Sequence, residues 1–525
     1  MICISINQES RRLALADMVN AGRQCDLIEI RLDRFAKPAD VGELLTAKQK
    51  PIIMTCRRSQ DGGHFSGSEE ERLALLRHCI ISKVEYVEIE LDVADQIRPF
   101  PGAKRVISYT NLRETPANLP EIYEEARTKN PDVIKLMTLA RTPEEAWPLV
   151  QILAKPALPT VAVGLGKPGL MLSILGKKMG SPWTYAALER GMEAYPGEPT
   201  VHALQSVYHY PAIERNTRLI GVTGFTELEH VTVGLLNAAM LQLDISARCL
   251  PLGVGNSRLF RKVMEAVHLA AVVVDEPNRH ALLDIPAELD SAARQCEAVD
   301  LLLSHDQKWH GYNLLCRAAV AALEATLRNG SGSEGNVKAR SVSDGSTPSD
   351  KPLEGRTVMV VGVNATARAL AYGIKKRGGA LIIASHHRQA AHALAQQLDC
   401  RFVQFEALYT TMHEVIVICD EQGAAHEVSG PARPLTTLRG SLSSAAPQPV
   451  HSGYLRSGMT VMDLTGLPRK SQFLREAQSR DCRIVEPREV LAELALLQIH
   501  LIAGQECPRE KLQEALAELL EDEEG

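Results

Sequence analysis

From the first residue to about residue 215, short apolar runs alternate with amphipathic stretches. The runs are ICISI (2–6), LIEIRL (27–32), PIIMTC (51–56), YVEIEL (86–91), RVISY (105–109), VIKLM (133–137) and PTVAVG (159–164). Each is four to eight residues of β-type composition, which reads as a strand, and stretches such as 70–79 and 143–153 between them read as helices. Seven strands, with a weaker eighth near 183–185, predict a (β/α)8 barrel.

The pattern then restarts. RLIGVTGF (218–225) opens a second unit that continues through a helical LLNAAMLQL, a strand AVVVD (271–275) and a helical CRAAVAALEATL (316–327). The segment 329–352 is rich in Gly, Ser and charge and has no aromatic residue, which predicts a flexible linker. RTVMVVGVNATARALAYGIKKRGGALIIAS (356–385) is strand, glycine turn, helix, strand, the first half of a dinucleotide-binding fold. A surface insertion is expected over 439–458, and two helices close the chain. The expected organisation is α/β: a barrel over 1–215, a lobe over 216–328, the linker 329–352, and a Rossmann-type lobe with C-terminal helices over 353–525.

Composition narrows the function classes. Hydrophobic residues make up 45% of the chain and charged residues 23%, ordinary values for globular cores. With 58 basic and 64 acidic residues, the net charge of −6 gives no reason to expect nucleic acid or an anionic membrane as partner. The 11 cysteines include no CxxC pair, and no Cys/His cluster has zinc-ligand spacing, so no metal is expected. No basic-then-apolar leader and no apolar run of about 20 residues is present, and the expected location is the cytoplasm.

Candidate chemistry lies where barrel strands end. Glu29 and Arg31 alternate on the second strand and face the same side. Arg57 and Asp61 lie just past the third. Lys135 sits inside the apolar run of the sixth, where desolvation would lower its pKa toward a neutral amine able to attack a ketone. The other reading is a lysine whose stem packs while its head reaches solvent. Arg31 and Arg57 read either as substrate ligands or as structural partners of Glu29 and Asp61.

EIRLDRF, TCRRSQDGG, SYTNLRETP, VIKLM, and GLGKPGLMLSILGKKMGSPWTYAAL followed by YPGEPT resemble, in order, the type I 3-dehydroquinate dehydratases. The module after them resembles shikimate dehydrogenase, and a fusion in this order is the layout of the bifunctional enzymes. The resemblance implies a small hydroxy-keto acid substrate that forms an imine with Lys135, held by Glu29, Arg31 and Arg57, with no cofactor for the barrel. Departures accompany it. Asp61 stands where the family has a glutamate. Thr110 stands at the family's acid–base histidine, and general acid–base catalysis is worth about 10²–10⁴ in rate. Ser173 replaces an arginine that would clamp the substrate carboxylate, and Ala194 and Glu198 replace a serine and a glutamine. His64 and Glu198 are the two candidates for a replacement base.

In the second module, the resemblance places a Ser-x-Ser pair at His230 and Thr232, a substrate asparagine at Val273, a catalytic lysine at Arg279, an asparagine at Asp300 and a catalytic aspartate at Leu315. Arginine keeps its proton and cannot serve as the acid–base group. The cofactor implied by resemblance is NADP. Its fingerprint GVNATAR (362–368) keeps Gly362 and Arg368 but has Asn364 and Ala365 where glycines let backbone approach pyrophosphate. Ser385, His386 and His387 stand where the 2′-phosphate would be gripped, and Gln498 is kept beside Leu494. Three readings follow: a Schiff-base dehydratase fused to an inactive module, a non-catalytic binding or regulatory paralogue, and an imine-forming lyase with another substrate.

Overall fold

In the computed structural model, residues 1–37, 40–306, 308–330, 351–419 and 450–521 are described. The eight barrel strands are β1 (Ile2–Ile6), β2 (Leu27–Arg31), β3 (Ile52–Thr55), β4 (Tyr86–Glu90), β5 (Lys104–Asn111), β6 (Val133–Leu139), β7 (Thr160–Leu165) and β8 (Thr184–Ala186). All pair in parallel, in the order β7-β6-β5-β4-β3-β2-β1-β8. Both faces of such strands are covered, which is why the apolar runs are nearly continuous and almost every strand residue is buried. Alternate side chains point inward, and Cys3, Leu27, Ile53, Val133, Val161 and Tyr185 form part of one internal cluster.

The helices expected over 70–79 and 143–153 are present as Glu69–Ile81 and Pro143–Ala154, the first with a Ser68/Glu71 capping box. β5 extends two residues beyond the expected run, which brings Thr110 into the sheet opposite Met137.

The chain forms two compact units, Met1–Val273 and Val274–Gly525, a division that falls inside the segment 216–328 read above as one lobe. The first unit adds three parallel strands to the barrel, β9 (Arg218–Thr223), β10 (Ala247–Leu252) and β11 (Leu269–Val273), with β9 in the middle. In the second, β12 (Glu288–Leu289), β13 (Leu301–His305) and β14 (Lys308–Tyr312) form a mixed trio centred on β14.

The rest of that unit is a parallel sheet of β15 (Thr357–Val361), β16 (Ala380–Ser385), β17 (Arg401–Gln404), β18 (Val415–Ile418), β19 (Thr460–Asp463) and β20 (Arg483–Ile484). Its order, β17-β16-β15-β18-β19-β20, is the doubly wound arrangement of dinucleotide folds. The closing helices are Pro487–Ala503 and Arg509–Glu521. Of the expected linker, residues 329–330 end the helix Leu315–Gly330, and 331–350 lie outside the described residues, as do 439–449 of the expected insertion.

Candidate active site

Three of the sequence-predicted barrel residues, Glu29, Arg57 and Lys135, come together in a single cluster inside the barrel, and Arg31 ends β2 two residues beyond Glu29. Lys135 is fully buried, and its Nζ lies 3.1 Å from Glu29 Oε2 and 3.0 Å from Glu88 Oε2. The nitrogen also stands 4.4 Å from the centre of the Tyr185 ring, an added cation–π contact. Arg57 Nη2 donates to Glu29 Oε1 at 2.8 Å and approaches Glu88 Oε2 at 3.5 Å. The Tyr185 hydroxyl and Ser5 Oγ donate to Glu29 as well, at 2.7 and 3.0 Å. Two cations therefore face two carboxylates, a balanced set.

The apolar walls expected around this amine are replaced by two carboxylates. Nζ is ion-paired, and neither does its head reach solvent. Burial works against the Glu29 charge, but Lys135 and Arg57 outweigh it and hold the carboxyl far below the usual carboxylate range. Glu88, Tyr185 and Ser5 were not among the predicted residues. Glu88 carries the signal that singles out Lys135, a charge at an inward position of an apolar strand.

The pairing of the arginines also differs from the expected one. Arg31 grips Asp33 with two bonds of 2.9 and 2.7 Å, because the turn Leu32–Arg34 folds Asp33 back against it. Asp61 pairs with Arg58 at 2.6 Å instead of Arg57. Asp33 accepts the backbone N–H groups of Arg57 and His64, which ties the β3 loop to β2. Gly63 is required there, since a Cβ would lie 1.9 Å from the Arg57 carbonyl oxygen.

Thr110 stands two residues past Ser108, which is opposite Lys135, so it occupies the next layer toward the strand ends and is half-buried. Ser173 is buried in the helix Leu170–Met179. His64 is exposed and faces the Arg34 guanidinium at 2.9 Å. Glu198 is buried, accepts the Ala194 N–H at 2.5 Å, and is pushed up to about 8 by burial.

A pocket of about 340 Å³ opens at this end of the barrel, lined by Ser5, Arg31, Arg34, His64 and Ala194 among others. Lys135 lies beneath it. Ser5 lines the pocket and bonds Glu29, which in turn contacts Nζ. A larger cavity of about 870 Å³ opens at the opposite, N-terminal end beside Leu27, Tyr86 and Phe100, and contains none of the predicted site residues. Barrel chemistry belongs to the C-terminal end.

In the first unit, beyond the barrel, the Thr232 hydroxyl is bonded to the Leu228 carbonyl within the helix Glu227–Gln242, and Val273 is buried in β11. In the second unit, Leu315 is buried in the apolar core with Leu353 and Ala367. Arg279 donates to Thr366 Oγ1 at 2.7 Å. Asp300 accepts the N–H groups of Leu314 and Leu315 at 2.8 and 2.6 Å, and burial raises it to about 6 against the pull of Arg279. These groups close the start of a helix.

The glycine turn survives only in part. Gly362 has φ 119°, which glycine alone adopts freely. Asn364 caps the helix Ala365–Lys376 by accepting the Ala367 N–H at 2.9 Å, and its amide donates to the Cys419 carbonyl at 2.7 Å. Arg368 pairs with Glu297 at 2.6 Å, and the His386 ring stacks on Phe405 at 3.6 Å. Ser385 accepts the His387 N–H, and Gln498 is buried with its Nε2 unpartnered. The Asn364 side chain caps this helix itself, so the Ala367 N–H is already taken at the end where a pyrophosphate would approach.

Fold and site define a (β/α)8-barrel protein with a charge-balanced lysine on its sixth strand, joined to a doubly wound module. A family model described as type I 3-dehydroquinase matches residues 2–215. A 3-dehydroquinate dehydratase of Dehalococcoides mccartyi is 30% identical over 216 residues, 39% of this chain and 94% of that protein. Through its barrel, the chain belongs to the type I 3-dehydroquinase family. The chloroplastic bifunctional 3-dehydroquinate dehydratase/shikimate dehydrogenase of Arabidopsis thaliana is 27% identical over 498 residues, 92% of this chain and 79% of that protein. A solved dehydroquinate dehydratase and shikimate dehydrogenase from S. pombe covers 98% of this chain and 98% of that one at 16% identity, with TM-score 0.40. Among the described residues no helix is long and apolar enough to cross a membrane. The cytoplasmic expectation is not carried by these comparisons, since the Arabidopsis relative is chloroplastic.

Proposed function

We propose that the barrel dehydrates 3-dehydroquinate to 3-dehydroshikimate through an imine at Lys135, and that the second module serves structure instead of hydride transfer. The observation that carries the first part is the Lys135 Nζ held 3.1 and 3.0 Å from two carboxylates inside a barrel of this family. A carboxylate in contact takes the ammonium proton when a ketone arrives, which frees the amine to attack. The iminium then acidifies the adjacent carbon, and the β-hydroxyl leaves as water. Arg31, Arg34 and His64 line the pocket above and supply positive charge and donors for an anionic, polyhydroxy substrate.

Support for a silent second module comes from Leu315 in the core, Arg279 tied to Thr366, and the Asn364 cap. The test is incubation of the full chain with 3-dehydroquinate, followed by the absorbance of the conjugated product. Growth of that absorbance, lost in Lys135→Ala, is expected. A flat trace contradicts the reading.

A second reading, a non-catalytic binding paralogue, is favoured by the complete cover over Lys135 and by Thr110 and Ser173. It predicts saturable binding of 3-dehydroquinate without product.

A further inference from the structure

We propose that Glu198 carries the protons of the imine cycle at Lys135, the role for which Thr110 has no ionisable group. This rests on the imine reading above. Among the described residues, Glu198 Oε1 is the one buried carboxylate oxygen with no hydrogen-bond partner. The side chain is 6% exposed, and its other oxygen accepts the N–H of Ala194, a residue that lines the pocket. The adjacent Tyr195 packs on the inner cluster of the barrel, with its hydroxyl also unpartnered. A bare carboxyl oxygen in a dry place is costly unless something binds there, and substrate hydroxyls are what this pocket would admit.

The loop is held in place by its neighbours. Gly166 donates its N–H to the Pro196 carbonyl at 2.7 Å. Gly197 has φ 86°, and a Cβ there would lie 2.6 Å from the Gly166 oxygen. The loop is anchored just past the end of β7, the neighbour of β6, and Tyr195 packs against the inner cluster that includes Tyr185, the ring beside Lys135 Nζ. Burial raises the carboxyl to about 8, so it enters the cycle as an acid at neutral pH.

The rival groups are engaged elsewhere. His64 is exposed and faces the Arg34 guanidinium. Glu90, also raised by burial, to about 7, has both oxygens on Arg72.

The protons balance. Lys135 adds to the ketone, and Glu198 protonates the carbinolamine hydroxyl, which leaves as water and gives the iminium. The Glu198 carboxylate then takes the proton from the adjacent carbon, giving the enamine. It returns that proton to the β-hydroxyl, which leaves as a second water. Finally it takes a proton from the water that attacks the conjugated iminium, and collapse of the carbinolamine frees the lysine. The net change is loss of one water from substrate.

The experiment compares the full-length chain with Glu198→Gln and Glu198→Asp, using 3-dehydroquinate for turnover and for borohydride trapping. Glu198→Gln should lose about 10²–10⁴-fold in kcat/KM, while still accumulating a trapped lysine adduct on long incubation. Glu198→Asp should recover part of the rate and move the alkaline limb of the pH–rate profile. Unchanged rate and pH profile in Glu198→Gln overturns the proposal, and so does an unmoved alkaline limb in Glu198→Asp, a result that also decides the matter should the glutamine variant fold poorly. Wild-type adduct without turnover likewise overturns it. Absence of adduct in the wild type refutes the imine reading itself and removes the proposal with it.

Discussion

Lys135 Nζ lies 3.0 Å from Glu88 Oε2, and this contact completes a ring in which two cations and two carboxylates balance inside the barrel. A buried charge is tolerated only when paired, so each member of the ring depends on the others.

Removing the lysine should therefore cost stability as well as any activity. In Lys135→Met, Glu29 and Glu88 are left as buried like charges. We expect a loss of about 3–5 kcal/mol near neutral pH, read by denaturant unfolding. The loss should shrink as the medium is acidified and the stranded carboxylates take up protons.

Glu29 contributes to the pH dependence of the wild type. Its folded-state pKa is depressed by Lys135 and Arg57 despite burial. A depressed carboxylate adds stability above its unfolded pKa, and that stability is lost as pH falls below it. Glu29→Gln should be less stable than wild type by about 3–5 kcal/mol at neutral pH, with the gap closing in acid. Unfolding midpoints measured across the acid range check this.

Glu198 contributes in the opposite sense. Its pKa is raised to about 8, so the folded state holds a proton that the unfolded state has released. Stability at this site falls as pH rises from the ordinary carboxylate range to about 8. Glu198→Gln should match wild type in acid and exceed it in mild alkali, by ~3 kcal/mol. Thermal unfolding at several pH values reads the diverging curves.

The second module should not oxidise shikimate with NADP, and restoring one residue should not rescue it. Leu315→Asp buries a carboxylate in the core beside Leu353, which should cost about 3 kcal/mol or more and leave the absorbance of reduced nicotinamide at baseline. Appearance of that absorbance would reverse the assignment.

Much of the fold was legible because barrel strands, covered on both faces, spell themselves as apolar runs. β8 was the weak one, only three residues long and flanked by turns. Within the site, Glu29 and Lys135 were visible because a charge inside an apolar run must find a partner, and Arg57 because it follows directly on the end of one. Glu88 carries that signal too, but its alternation with Glu90 in YVEIEL reads equally well as a polar strand face. Tyr185 and Ser5 carry no charge and gave no signal; only the pairing of β1 with β2 and β8 brings them to Glu29. For Arg31 the sequence offered Glu29 as the structural partner; the turn after β2 supplies Asp33 instead, closer than alternation suggests.

The most direct test is reduction with borohydride in the presence of 3-dehydroquinate, with the modified residue located by peptide mass. One adduct, on Lys135 and absent from Lys135→Met, is the result expected. An unmodified Lys135 under conditions that label a working imine-forming enzyme would contradict the account and leave a barrel whose buried ion ring is purely structural.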